Sequence, residues 1–219
     1  LTKFGIAFLV LLVLPAIFAS ESRRHAPGTL ARGVASNQRL SALTGGVLYV
    51  LLLALGVTVL YIQGLLPLHF IVGFVLVPPL GLKLGSAGYR FIRYYTGDPT
   101  YRLAGPPSAL LRLTAPVLVV STVVAFGTGF ELWLYGLGLG DVWVSAHNLS
   151  SVVMVLSGSV HVAGHLRLSA TATARTVTAA VDGRWTATSW LVVASLSAGL
   201  VLGAASLLYA SPFPTSFGG

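Results

Sequence analysis

Residues 146–165 read AHNLSSVVMVLSGSVHVAGH and carry three of the chain's five histidines, His147, His161 and His165. The stretch has no Asp, Glu, Lys, Arg or Pro. About 20 mostly apolar residues cross a bilayer as a helix, so the reading is a transmembrane helix over 142–166. Working outward, the rest of the chain has the same character. It is 55% hydrophobic and 8% charged, where soluble domains carry about 25% charged residues. Mean hydropathy is +0.88. A soluble core would have too little polar surface to cover it, so the bilayer is the solvent to expect. Cysteine is absent, which excludes disulfides, thiolate metal sites and cysteine catalysis.

Six segments meet the length criterion: 4–20, 42–63, 68–91, 110–136, 142–166 and 187–209. The expected fold is therefore all-α, a single integral membrane bundle of six transmembrane helices. The first span resembles a signal peptide, with Lys3 before an apolar run and Ala19 near a candidate cleavage point. The loop after it holds Arg23, Arg24, Arg32 and Arg39 against Glu21. Basic loops favour the cytoplasm, so a retained helix is the better reading. Basic and uncharged loops then alternate. Residues 64–67 carry no charge, and 83–112 carry Lys83, Arg90, Arg93, Arg102 and Arg112 against Asp98. Residues 137–141 carry only Asp141, 167–184 carry Arg167, Arg175 and Arg184 against Asp182, and the tail is uncharged. Both termini are expected on the outer face of a bacterial cytoplasmic membrane. Trp133 and Trp143 would mark the outer interface, and Trp185 and Trp190 the inner one. The net charge of +8 follows from this orientation, and no nucleic-acid partner is expected.

Orientation gives each histidine a depth. His147 opens its span at the outer face. His161, fourteen residues on, lies about 21 Å deeper at 1.5 Å per residue. Fourteen residues is close to four turns, so the two rings share one side of the helix. Between them the stripe holds small residues, Ser150, Ser151, Ser157 and Gly158, with Met154. His165 continues the stripe near the inner boundary, and His25 falls in a basic loop. His69 opens span three at the outer face, with Gly73 one turn further on the same side. Two neutral imidazoles facing each other across a bundle can hold a haem iron from both sides. Ionisable groups inside a bilayer are costly and point to function. The expectation is haem b on His69 and His147, with His161 serving a second haem if a partner exists.

The His-x13-His pair formed by His147 and His161 resembles the di-haem cytochromes b and cytochrome b561-like membrane subunits. The Thr128–Gly129 step in AFGTGFELWLYG is similar to a Thr-Gly beside haem in b561-like subunits. The stretch LKLGSAGYRFIRYYTGDPTYRLAGPP resembles actinobacterial membrane proteins of similar length. The resemblance covers spans three to five. It implies electron transfer across the membrane between quinone and an outer-face or membrane redox partner, as one subunit of an oxidoreductase complex. The pattern departs in one respect: no other helix offers a deep histidine opposite His161.

Lys83 lies fourteen residues after His69, mirroring the other pair. It reads as an iron ligand, a propionate partner or a boundary cation, with Pro78–Pro79 expected to kink the helix between them. Arg90 and Arg93 are candidates for pairing haem propionates or a quinone headgroup. Glu131, the one acid within a span, reads as a proton relay or a boundary residue. Hydrolase, zincin, P-loop and dinucleotide fingerprints are absent. Two other readings compete with the cytochrome: a non-redox subunit stabilising a larger complex, and a small transporter.

Overall fold

The structure, a computed structural model, describes residues 3–18, 32–105 and 109–214. His25 and most of the first basic loop lie outside the described residues, as does the end of the tail. All regular structure described is helical. The helices are α1 Lys3–Phe18, α2 Arg32–Leu60, α3 Ile62–Tyr95, α4 Pro99–Leu103, α5 Ala109–Tyr135, α6 Asp141–Val181 and α7 Ala187–Ala205. A short 3-10 turn, Ser206–Leu208, follows.

Among the described residues, four helices, α2, α3, α5 and α7 with its 3-10 turn, are long and apolar enough to cross a membrane. A fifth is reached if the two halves of α6, Asp141–His165 and Leu168–Val181, count as one bent span. The interior mixes aliphatics such as Leu11, Leu66 and Leu76 with small polar residues, and many large aliphatics face outward. Buried positions include Thr44, Thr58, Ser86, Ser121, Thr122, Ser157 and Ser159, while Val120, Val123, Leu200 and Val201 are exposed. Small polar residues let membrane helices approach, and hydrocarbon covers the aliphatic outside. Ser150, Ser157 and Ser159 donate to carbonyls one turn back on α6 at 2.7 Å. Their hydroxyls are thus satisfied without water.

The segment boundaries differ from the sequence reading at three places. Residues 64–67 are a break within a helical run rather than a free loop. Helix α3 begins at Ile62 and is bent at Leu65 (φ −118°, ψ 15°), two residues ahead of Pro67. Second, Pro78 and Pro79 leave α3 helical, since Leu65 is its only residue with non-helical dihedrals. Pro79 has no N–H for the Val75 carbonyl. Gly199 of α7 presses its backbone against that carbonyl, so closely that an added Cβ would collide with it. Gly203, one turn on, meets the Ile71 carbonyl and Val75 side chain in the same way. This small-xxx-small pair is a standard close-packing device of membrane helices. Third, 168–181 is helical, turning 67° from the rest of α6. Its Ala, Thr and Arg residues are too polar for a span, yet the run has no Gly or Pro to stop a helix.

The helices enclose a space. α3 packs on α2 and α7, and α6 packs on α5, α1 and α2. α3 and α6 are not among the closely packed helix pairs and stand on either side of a gap. The chain after α7 folds back over the end of α5. Tyr209 Oη donates to the Leu134 carbonyl at 2.6 Å and Ser211 Oγ to the Trp133 carbonyl at 2.7 Å. Phe213 then packs on Leu66 and Leu132 and closes one end of the gap.

Candidate functional site

The gap between α3 and α6 is a cavity of about 780 Å³, within the 300–1,000 Å³ typical of small-molecule and cofactor sites. Its lining is apolar and aromatic apart from His69, His147, Asn148 and Ser151. His69 enters from α3 and His147 from α6. Their ring centroids are 6.4 Å apart and their planes are at 85°.

Each ring is tied back through Nδ1. His147 Nδ1 lies 2.9 Å from the Ala125 carbonyl oxygen. A carbonyl only accepts, so Nδ1 carries the proton. His69 Nδ1 lies 2.9 Å from Thr58 Oγ1. The Thr58 hydroxyl already donates to the Leu55 carbonyl at 2.6 Å, so it accepts from His69. Thr128 Oγ1 repeats the arrangement at His147, donating to the Val124 carbonyl at 2.6 Å and sitting 3.2 Å from Nδ1. In both rings Nε2 is therefore the bare nitrogen. Among the described residues no hydrogen bond reaches either Nε2.

This is the arrangement of a metal-ligating imidazole, whose other nitrogen is held by an acceptor that fixes tautomer and orientation. The spacing fits as well. A metal–imidazole bond is about 2 Å, and the ring centre lies about 1 Å beyond the nitrogen, so imidazoles on opposite sides of one metal have centroids about 6 Å apart. Among the described residues, no three His, Asp or Glu side chains gather as a metal site. A haem needs only two axial groups from the protein, and the cavity offers two.

Small residues make the approach work. An added Cβ at Gly129 would come within 2.9 Å of His147 Cε1. Gly73 also lines the cavity, and a Cβ there would meet nothing within 4 Å. Thr58 and Ala125 were not candidates on sequence; they lie on α2 and α5, and only the fold brings them to the rings. Thr128 had a signal, the Thr-Gly step, but its role as an acceptor did not.

The remaining candidates lie elsewhere. His161 Nδ1 is 3.3 Å from Thr114 Oγ1 of α5, whose hydroxyl donates to the Leu110 carbonyl at 2.9 Å. His147 and His161 therefore do share a face, the one toward α5. No other histidine ring stacks on or faces His161 among the described residues. Gly158 is buried, with Leu118 in ordinary contact range. Neither residue lines the cavity. Lys83 Nζ donates to the Ser41 carbonyl and hydroxyl oxygens at 2.5 and 2.9 Å, and Arg90 Nη2 to the same hydroxyl at 3.2 Å. Arg93 pairs with Asp98 and lies about 6 Å from the Tyr89 and Tyr101 ring centres. The Thr100 hydroxyl, with backbone amides and Arg93, holds the Asp98 carboxyl below its ordinary range. None of these three cations reaches the cavity. Both carboxylate oxygens of Glu131 are buried without a hydrogen-bond partner. Comparison with family models, with curated proteins and with solved structures gives no match.

Proposed function

We propose that the chain is a haem b-binding subunit of a membrane electron-transfer system, with His69 and His147 as the axial pair. The observation that carries this reading is the pair of imidazoles from two helices lining one cavity, ring centroids 6.4 Å apart, each with Nδ1 occupied. A bound haem would supply one-electron redox chemistry. The chain supplies the rest. Thr58, Thr128 and the Ala125 carbonyl keep Nε2 unprotonated and aimed. The aromatic and aliphatic walls exclude water and lower the local dielectric, and Gly73 and Gly129 leave room for a flat group.

The six-span topology, with both termini outside in a bacterial cytoplasmic membrane, belongs to the same proposal. It sets His69 and His147 near the outer face, where a redox partner subunit would exchange electrons, with membrane quinone as the other candidate. No imidazole stands opposite His161 among the described residues, which favours one haem per chain over two.

The test is the optical spectrum of the protein purified from haem-supplied cells. Haem b bands in the reduced-minus-oxidised difference, at about one haem per chain, are expected. A colourless, folded preparation would sink the proposal. Haem at two per chain would reject the single-site assignment.

A further inference from the structure

At the other end of the α3–α6 region lies a cluster that the haem reading does not use. Lys83 and Arg90 are seven residues apart on α3, two turns, and so share a face. Both donate to one oxygen, Ser41 Oγ of α2. That oxygen has two lone pairs, and the two cations claim both. Between them Ser86 Oγ donates to Asn37 Oδ1 at 3.1 Å, so α2 meets this face with neutral acceptors only. α6 adds no anion. Ser169 lies beside Lys83 at Gly45, where an added Cβ would sit 3.3 Å from Nζ and 3.4 Å from Ser169 Oγ. His161 and His165 are within electrostatic reach of Lys83. Tyr101 of α4, His165 of α6 and Lys83 are within electrostatic reach of Arg90.

Neither cation has an acidic partner among the described residues. Asp98 is taken by Arg93, and Asp182 by Arg184. Arg90 Nε is buried with no acceptor among the described residues. Two like charges on one hydroxyl, partly withdrawn from water, repel each other strongly. An arrangement of this kind is completed by an anion. The donors left over, a lysine ammonium and the edge of a guanidinium, suit a phosphate oxygen set.

We propose that Lys83 and Arg90 form a phosphate-binding site between α2, α3 and α6. Fourteen residues of helix, about 21 Å, separate Lys83 from His69, beyond the span of the cavity's own ligand. Tyr89 before Arg90, and Arg93, Tyr94 and Tyr95 after it, make a basic and aromatic end to α3 of the kind found where lipid phosphates lie. The source is a lipid headgroup or free phosphate, and the two share this chemistry. The site does not rest on the haem reading, and a His69→Ala chain should retain it.

The experiment uses the full chain purified in detergent and analysed by native mass spectrometry, after exposure to phosphatidylglycerol, to phosphatidylcholine or to inorganic phosphate. The expected result is one retained phosphatidylglycerol, at least tenfold above phosphatidylcholine. Lys83→Gln and Arg90→Gln should each lower retention several-fold, and Ser41→Ala, which keeps both charges, should not. Displacement of the lipid by millimolar inorganic phosphate would identify free phosphate as a competent ligand; no displacement would assign the site to lipid. Failure of the wild-type chain to retain either ligand would overturn the proposal. So would equal retention by wild type and both charge variants. Should those variants not fold, the headgroup selectivity of the wild type decides.

Discussion

His147 and His161 stand fourteen residues apart on one helix and have nearly the same immediate surroundings. Each turns Nδ1 toward α5, and each has a threonine whose own proton is already spent on its helix. What differs is the opposite wall. Across from His147, α3 presents His69 and an open cavity. On the His161 side, α3 presents Lys83, fourteen residues after His69 and bound to α2. One local device, a tied-back imidazole, thus has two outcomes. A histidine becomes a candidate ligand only where a second imidazole and empty space lie beside it.

The largest effect that tests this contrast comes from alanine at each imidazole. His69→Ala or His147→Ala should abolish the haem Soret band, because one axial ligand is lost and the other remains alone. His161→Ala should leave haem content unchanged. Equal loss at all three positions would break the comparison and place a haem at the inner histidine too. A smaller effect is expected from the acceptors. Thr58→Val keeps shape but removes the partner of His69 Nδ1, and groups that orient a metal ligand are worth about 10–100-fold in affinity. Haem titration of the apoprotein should show a loss in that range for Thr58→Val. Thr128→Val should cost less, since the Ala125 carbonyl still holds His147. Thr114→Val, beside His161, should change nothing.

How much of this was legible in the sequence depends on the distance the information must travel. Helical phase is local, so the shared face of His147 and His161 was readable from their spacing. Span existence was readable from hydropathy, but span ends were not. Gly64 and Pro67 look like a loop, yet the chain turns back into helix at Ile62 after Tyr61 and keeps only a one-residue break, at Leu65, between them. Pro78–Pro79 look like a kink, yet Gly199 of α7 covers the carbonyl that Pro79 cannot serve. Those outcomes depend on a neighbouring helix, which no window of sequence contains. The same limit hid Thr58, which comes from α2, and the fold-back of Tyr209 to Phe213 over the end of α5. Lys83, Arg90 and Arg93 were grouped with the haem by type. The structure separates them from it because α3 runs on past the cavity and turns their face to α2 and α4.

The smallest predicted effect concerns the backbone behind His147. An added Cβ at Gly129 would lie 2.9 Å from Cε1 and 3.3 Å from Nδ1 of that ring. The ring cannot swing far, because Nδ1 is pinned to the Ala125 carbonyl. Overfilling a packed site costs about 1–3 kcal/mol, so Gly129→Ala should weaken haem binding by about tenfold through a misplaced ligand rather than a missing one. Gly158→Ala is the matched control further down the bundle, with its nearest neighbour, Leu118, at an ordinary 3.7 Å. It should bind haem as the wild type does. If Gly129→Ala were equally silent, the His147 ring would have more freedom than its two acceptors imply, and the contrast with His161 would rest on His69 and the cavity alone.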